Sequence, residues 1–188
     1  TYKANFEYQL NDDVMLYALA SSGYRAGGFN SANPLAGTPP STFGSDTLWN
    51  YEVGAKTSWL DNRLVVNGSV FLVDWSDIQL ARQLFGTTGV ATITDNVGEA
   101  EIKGLELEVD YRMTEYLKLG VSLSNLDGKV TKLDPSVPVG VAVEGERLSG
   151  SAELTHTFYV DYVRPVRNDM DMSVRLTQRY IGDRLSAM

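Results

Sequence analysis

The sequence predicts an all-β fold, an antiparallel meander of about eight strands that forms part of a transmembrane β-barrel. The first supporting observation is an alternation of apolar and polar residues that recurs along the 188 residues. In one run, Tyr51 and Val53 share a parity and Glu52 lies between them. Successive side chains of a strand point to opposite faces, so each run has an apolar and a polar face. Runs of about ten residues with this pattern, separated by turns, are typical of membrane barrels.

The second observation is that short and long connections alternate along the chain. The short ones are rich in turn-forming residues and are expected at 11–13, 61–62, 113–115 and 164–169. The long ones hold several glycines, with prolines or threonines, and are expected at 24–47, 82–97 and 127–147. Membrane barrels have tight turns at the periplasmic end and long loops at the extracellular end. A soluble sandwich has no reason to keep all its long loops at one edge.

The first four strands are expected at 2–10, 14–23, 48–59 and 64–80. In the first, the aromatic residues Tyr2, Phe6 and Tyr8 share one parity and polar residues separate them. The fourth strand is less regular, because Asp74 has the same parity as the apolar residues Leu64 and Leu72. A β-bulge, or a position of Asp74 above the membrane, would explain this departure.

The last four strands are expected at 99–112, 116–126, 148–163 and 170–181. The clearest alternation is in the fifth, where lipid-facing positions are expected at Leu105, Leu107, Val109 and Tyr111, and lumen-facing positions at Glu106, Glu108 and Asp110. The other three strands alternate in the same way. Their expected lipid-facing residues include Leu119, Val121, Phe158, Val160, Val174 and Leu176.

Composition excludes several classes of function. A mean hydropathy of −0.17 resembles that of a soluble protein, but alternating strands cancel in any average. No run of 18 apolar residues is present, so a membrane-spanning helix is not predicted. The net charge of −8 disfavours nucleic-acid binding, which needs a basic surface. The sequence has no cysteine, which excludes disulfides and thiolate metal sites.

Three segments resemble TonB-dependent outer-membrane receptors. They are YALASSGYRAGGFN at 17–30, NYEVGAKTSWLDNRLVVNGSVFLVDWSDIQL at 50–80 and NVGEAEIKGLELEVDY at 96–111. The resemblance implies a 22-stranded barrel in the bacterial outer membrane, with a plug domain in its lumen. It also implies TonB-coupled uptake of a scarce nutrient, such as a ferric siderophore. The partners would be outer-membrane lipid, the plug domain, TonB and a small ligand such as a metal chelate.

The same resemblance predicts that residues 1–188 are a partial barrel domain. A barrel of 22 strands of about ten residues needs roughly 220 residues before any loop. We therefore expect a section of the wall without the plug domain and without the last strands. Its two free strand edges and its apolar face predict that the isolated section self-associates or depends on detergent.

Two groups of site residues follow from the predicted topology and the resemblance. The candidates for substrate binding stand where strands open into long loops, and they are Tyr24, Arg25, Phe29, Arg82 and Phe85. Arginine next to aromatic residues suits an anionic, aromatic ligand. The candidates for the lumen, where a plug would lie, are Glu52, Lys56, Glu106, Glu108, Asp110, Lys118 and Arg175. These carboxylates, together with Glu7, are expected to meet the cationic groups of Lys3, Lys56, Lys118 and Arg175 across the barrel wall.

Catalysis is not expected. Glu106 and Glu108 could place their carboxylates about 7 Å apart, a spacing that inverting glycosidases use, but a polar lumen explains them better. His156 is the single histidine, so multi-histidine metal sites are excluded, and no metal or cofactor is predicted. Two alternatives stay open: a soluble β-sandwich binding module, and a complete small outer-membrane barrel with a structural or enzymatic role. Detergent dependence would separate the sandwich from both barrels.

Overall fold

The structure is a computed structural model that describes residues 1–30, 42–86, 89–135, 143–167 and 169–185. Strands dominate these residues. No helix in these ranges is long and apolar enough to cross a membrane.

The described residues form twelve strands. In chain order they are β1 (Lys3–Asn11), β2 (Val14–Arg25), β3 (Gly28–Phe29), β4 (Thr42–Phe43), β5 (Asp46–Trp59), β6 (Leu64–Ser76), β7 (Gln79–Gly86), β8 (Gly89–Asn96), β9 (Gly98–Arg112), β10 (Leu117–Leu133), β11 (Leu154–Arg167) and β12 (Met170–Ile181).

Eight of the strands form one antiparallel sheet in the order β1-β2-β5-β6-β9-β10-β11-β12. Every neighbour in the sheet is also the next long strand along the chain, so the sheet is a meander. The fold class predicted from the alternation is therefore confirmed. Among the described strands, β1 and β12 stand at the two edges and do not pair with each other.

The remaining four strands form two hairpins in segments that were expected to be loops. β3 pairs with β4, and β7 pairs with β8. The prediction of one strand at 64–80 was wrong, because β6 ends at Ser76 and β7 begins at Gln79. Between them Asp77 has a φ of 55°. Aspartate tolerates this left-handed conformation better than most residues, and it turns the chain out of the sheet.

The seventh strand also begins later than predicted, at Leu154 instead of 148. The segment 143–152 folds back along β10 instead, where Leu148 N donates to Gly128 O and Gly145 N donates to Val130 O. The segment thus forms hydrogen bonds with the end of β10, which runs to Leu133, beyond its predicted limit of 126. The predicted connection 164–169 is shorter than expected, since β11 extends into it as far as Arg167.

The two faces of the sheet differ as the alternation predicted. An apolar groove on one face is lined mainly by Leu16, Val53, Ala55, Val70, Leu105 and Leu107. A polar groove on the other face is lined by Glu106 and Glu108 together with polar residues of β5, β6 and β10. Leu107 pairs with Leu123, and Glu108 pairs with Ser122, so the parity continues across strands. We call the apolar side the outer face and the polar side the inner face.

The outer face is apolar over the thickness of a membrane. In β5 it runs from Trp49 to Trp59, and at about 3.4 Å per residue with a tilt near 45° these ten steps rise roughly 24 Å. Tyr2, Trp49 and Tyr51 stack at its upper border, with ring centroids 6.5 and 6.0 Å apart. Val53, in the middle of a central strand, is 53% exposed, so the described residues do not cover this face.

Above the aromatic border, apolar residues occupy the inner face and charged residues occupy the outer face. In β9, the outer face carries Leu105 and then Lys103 and Glu101, whereas the inner face changes from Glu106 to Ile102 and Ala100. β6 shows the same change without any register shift against its neighbours, so the predicted bulge is absent. Asp74 pairs with Trp49 on one side and with Glu101 on the other. It therefore lies in the charged zone above the apolar band.

The reversal makes room for a small core on the inner side of the upper sheet. Its buried members are Ile78, Val97, Ala100, Val130 and Leu148, with Trp75, Leu80, Ile102 and Leu133 packed against them. Leu148 is only 7% exposed, and a Cβ on Gly128 would lie 3.3 Å from its side chain. The segments that leave the strands thus fold over the inner face and bury apolar area there.

Candidate functional site

The inner face has a polar groove of about 480 Å³ at the level of the apolar band. Its lining is drawn from β2, β5, β6, β9 and β10, and its polar members are Tyr17, Glu52, Lys56, Asn67, Ser69, Glu106, Glu108, Ser122 and Ser124. Four of the seven residues predicted to face the lumen lie in this groove. They come together because the strands pair in register and present the same parity.

Glu52 is held by a neighbour on the next strand. The Tyr17 hydroxyl donates a hydrogen bond of 2.5 Å to Oε1 of Glu52. The ring of Tyr17 lies across Gly54, its partner in the β2–β5 register. Lys56 Nζ lies 5.7 Å from the centroid of the same ring, within reach of a cation–π interaction. Tyr17 thus organises one carboxylate and one ammonium group on the wall.

A second cluster on the inner face joins Asp110 and Lys118, as predicted. Lys118 Nζ lies 3.1 Å from Oδ2 of Asp110. The hydroxyl of Tyr159 donates to Oδ1 of the same carboxylate. Lys118 Nζ also lies 5.5 Å from the centroid of the Tyr159 ring. Both oxygens of Asp110 are therefore occupied within the sheet.

The prediction that Arg175 pairs with one of the lumen carboxylates was wrong. Its Nε and Nη2 atoms donate to the two carboxylate oxygens of Asp161 at 2.5 and 2.6 Å, a bidentate pair between β11 and β12. Asp161 is directly opposite Arg175 in the register, so it is closer than any of the acids expected to pair.

Three carboxylates of the groove have no cationic partner among the described residues. In the described part of the chain, no ion pair within 4.0 Å involves Glu52, Glu106 or Glu108. Asn67 Nδ2 donates a long hydrogen bond of 3.5 Å to Glu108. With Lys56 as the lysine of the groove, the lining has three negative charges and one positive charge. The groove can therefore accept cationic or amide donors from another group of atoms.

A different cluster fixes the ends of the strands that lead into the long connections. Asp46, the first residue of β5, has a side chain that is 1% exposed and is paired with the guanidinium of Arg25. Nε of Arg25 donates to Oδ2 of Asp46 at 2.8 Å, and the backbone N–H of Gln79 donates to the same oxygen at 3.2 Å. Burial alone would raise the pKa of Asp46, but the hydrogen bonds from Arg25 and Gln79 outweigh it and lower the pKa below 3.8.

Further polar contacts connect this cluster to both hairpins. Nε2 of Gln79 donates to the carbonyl oxygens of Ala26 and Gly44, at 3.1 and 2.9 Å. Nδ2 of Asn30 donates to Thr94 O at 2.8 Å, and Thr94 N donates back to Oδ1 of Asn30 at 2.7 Å. The segments that flank β3, β4, β7 and β8 are thus joined by side chains bonded to backbone groups.

The five predicted ligand-binding residues have different surroundings. The guanidinium of Arg25 is engaged by Asp46 and lies 4.8 Å from the centroid of the Trp75 ring. Tyr24 has the outer parity, opposite Thr47, and Phe29 is 80% exposed. Arg82 and Phe85 belong to β7 by their backbone, but their side chains lie outside the described residues. A role in ligand binding stays a prediction for all five.

Comparison with known families identifies the sheet. The family model described as TonB dependent receptor-like, beta-barrel matches residues 1–187. The chain belongs to the TonB-dependent receptor β-barrel family. Members of this family are outer-membrane proteins, so the predicted location in the bacterial outer membrane is confirmed.

Solved structures of TonB-dependent receptors show the same fold. The ferric yersiniabactin uptake receptor FyuA from Yersinia pestis has a TM-score of 0.73 and 20% identity, and the match covers 96% of this chain and 25% of that one. The copper transporter OprC has a TM-score of 0.71 and 20% identity, with 95% and 26% covered. BauA, the ferric preacinetobactin receptor from Acinetobacter baumannii, has a TM-score of 0.66 and 15% identity, with 95% and 25% covered. The chain therefore spans about a quarter of the length of these receptors.

Membership of the receptor family gives the two faces their environments. In a transmembrane β-barrel the apolar face of the wall lies against lipid and the polar face towards the lumen, and a lumen position of the seven candidate residues stays a prediction. The structure places no group of three or more His, Asp or Glu residues where it could hold a metal ion, as far as the described residues extend.

Sequence reasoning did not find Asp46, Tyr17 or Tyr159. Tyr159 has the polar parity of its strand, and a tyrosine at such a position is a signal that could have been used. Tyr17 shares its parity with Met15 and Leu19, so the alternation gave no signal for it. Asp46 gave no comparable signal, because its partner Arg25 is 21 residues away and approaches only when β2 pairs with β5.

Proposed function

We propose that residues 1–188 are a section of the barrel wall of a larger receptor that imports a metal complex with energy supplied through TonB. The observation that carries the proposal is the contrast between the two faces at membrane level. The outer face exposes apolar residues such as Val53 and Val70, whereas the inner face carries three carboxylates without cationic partners in the part of the chain that the structure describes. This contrast suits a wall between lipid and a filled lumen, and a soluble sandwich would bury one face against a second sheet.

The inner face is proposed to contact the plug domain. Glu52, Glu106 and Glu108 are the docking points, since their charge is not neutralised by the described part of the wall. Asp110, Lys118 and Arg175 face the same lumen but already have ionic partners. They shape the wall and contribute less to the contact, because an exposed, satisfied pair adds little when another group approaches.

A metal complex is the proposed cargo because of what the structural relatives handle. FyuA takes up ferric yersiniabactin, OprC is a copper transporter, and BauA is a ferric preacinetobactin receptor. The exposed ring of Phe29 and the loop positions Tyr24, Arg25, Arg82 and Phe85 are the proposed contacts for such a ligand. Covalent chemistry is not part of the proposal.

The test is TonB-dependent metal accumulation in cells that carry the full-length receptor. Cells would be starved of metals with a chelator and then given iron or copper, free or bound to siderophores of different classes. We expect accumulation of at least one metal complex above that of a receptor-free strain, and its loss when TonB is deleted. Equal accumulation with and without TonB for every complex would overturn the proposal.

A further inference from the structure

Three aromatic rings on the inner face lie flat across glycines of a neighbouring strand. The pairs are Tyr17 with Gly54, Phe71 with Gly104, and Tyr159 with Gly120, and each pair is opposite in the strand register. A Cβ on these glycines would lie 2.6, 2.1 and 2.0 Å from the ring, closer than real Cβ atoms come to other atoms. The glycines are needed here for space, because none of the three has a positive φ.

The flat position matters because the rings would otherwise stand in the lumen. In a strand, side chains point roughly perpendicular to the sheet, so an aromatic ring occupies several ångströms above it. Over a glycine the ring can lean along the wall instead. The space above the groove that contains Glu52 and Glu106 stays free for another domain.

The Tyr17 ring differs from the Phe71 ring by its hydroxyl group. That hydroxyl binds Oε1 of Glu52, and Oε2 of Glu52 accepts no hydrogen bond from the described residues. The corresponding tyrosine, Tyr159, binds a carboxylate whose second oxygen is taken by Lys118. Glu52 is therefore the carboxylate that a tyrosine orients while one of its oxygens remains available.

We propose that Tyr17 is a positioning residue, held flat by Gly54, that directs the free oxygen of Glu52 towards a cationic or amide donor of the domain that fills the lumen. The inference rests on the proposed function, in which the inner face holds the plug domain. The contact made by Glu52 then depends on Tyr17 and Gly54, although neither of them touches the plug domain. Phe71 over Gly104 has the same packing without a hydroxyl and provides the matched control.

The test uses the full-length receptor in lipid vesicles and measures how fast a small hydrophilic solute leaks through the lumen. A first variant, Glu52→Gln, tests the docking point itself. We expect a leak roughly tenfold faster than in the unchanged receptor, because a hydrogen bond to a charged group is lost. An unchanged leak would overturn the docking role of Glu52 within the proposed function, and the positioning role with it.

Tyr17→Phe then tests the positioning role separately, because it keeps the ring over Gly54 and removes only the hydroxyl. We expect a faster leak of similar size with an unchanged unfolding midpoint of the barrel. Gly54→Ala should have the same effect on the leak, since the added Cβ would lie 2.6 Å from the Tyr17 ring, and also 2.7 Å from the backbone oxygen of Gly68. Gly104→Ala should displace the Phe71 ring in the same way but leave the leak unchanged.

Two results would overturn the inference while leaving the proposed function intact. One is a fast leak in Glu52→Gln with a normal leak in Tyr17→Phe. The other is an equal increase of the leak in Gly54→Ala and Gly104→Ala, which would mean that any disturbed ring loosens the lumen. If Gly54→Ala does not fold, the comparison of Tyr17→Phe with Glu52→Gln still decides.

Discussion

Arg25 and Asp46 form a hydrogen-bonded ion pair at the extracellular ends of β2 and β5, with the carboxylate buried and the guanidinium half exposed. The pair also binds the backbone of Gln79, the first residue of β7. Two strands of the sheet and one hairpin thus meet at a single carboxylate. This arrangement makes the order of the extracellular segments depend on one charge.

Replacing that charge is expected to loosen the hairpins. Asp46→Asn should destabilise the local structure by about 1–3 kcal/mol, because buried donors lose a charged acceptor. Hydrogen exchange should then be faster at Gln79 and Thr94, while the middle of β9 keeps its protection. Asp74→Asn is the control, since Asp74 is exposed on the outer face and its side chain has no described hydrogen bond. Equal exchange in both variants would contradict this role of Asp46.

The same pair predicts a loss of order in acid. The pKa of Asp46 is lower in the folded chain than its usual value of 3.8, so folding favours the ionised form. The stabilisation is fully present above pH 3.8 and is lost as the pH falls through the lowered pKa. The measurement uses residues 1–188 with Trp49→Phe and Trp59→Phe, so that Trp75 is the one remaining tryptophan. Its fluorescence then reports on the Arg25 guanidinium, which lies over its ring. We expect a constant signal down to about pH 4 and a change below it. Asp46→Asn should remove that transition.

The assignment of residues to the outer and inner faces can be tested with two adjacent residues of β10. Val121 lies on the outer face opposite Val109 and Phe158, whereas Ser122 lines the polar groove. Val121→Arg in the full-length receptor should cost about 2–4 kcal/mol if the residue is near the bilayer midplane. Ser122→Arg should cost much less. Unfolding by guanidinium in lipid vesicles gives both values, and similar losses would argue against the assigned faces.

Leu148 should hold the segment 143–152 in its folded-back position against β10. Its side chain is buried over Gly128 in the small core of the upper inner face. Leu148→Ala is expected to cost about 2–5 kcal/mol locally, the range for large-to-small changes in a core. Limited proteolysis should then cut within 143–152. Val143→Ala is the control, because Val143 is 61% exposed, and it should leave the segment as resistant as before.

The isolated section of 188 residues should self-associate or require detergent. β12 is exposed along its whole length, and β1 is exposed in the same way, so both present unpaired backbone groups. The outer face adds apolar side chains that lipid would cover. Light scattering without detergent should show large or mixed species. A soluble monomer at high concentration would contradict the prediction.

The sequence was sufficient to predict the eight strands of the sheet because alternation is a local property. Glu106 and Leu107 reveal their faces without knowledge of any partner. The two hairpins, the fold-back of 143–152 and the Asp46 cluster depend on partners far along the chain. Leu148, for instance, reads as a strand residue, and only the proximity of Gly128 makes a buried position over β10 available.

The candidate site was predictable in part for the same reason. The parity of Glu52, Glu106 and Glu108 was sufficient to bring them into one groove. The partner of Arg175 depended on the β11–β12 register, which places Asp161 directly opposite. A one-residue change in that register would have placed a different residue opposite Arg175.

The reversal of apolar parity in β6, β9 and β10 fixes how deeply the protein sits in its bilayer. Sinking by two residues per strand would carry Lys103 and Asp127 into hydrocarbon, and rising by the same amount would move Leu105 into water. Both displacements are unfavourable, and the penalties add over adjacent strands. The vertical position of the wall is therefore encoded in the strands themselves, independently of the length of the loops above them.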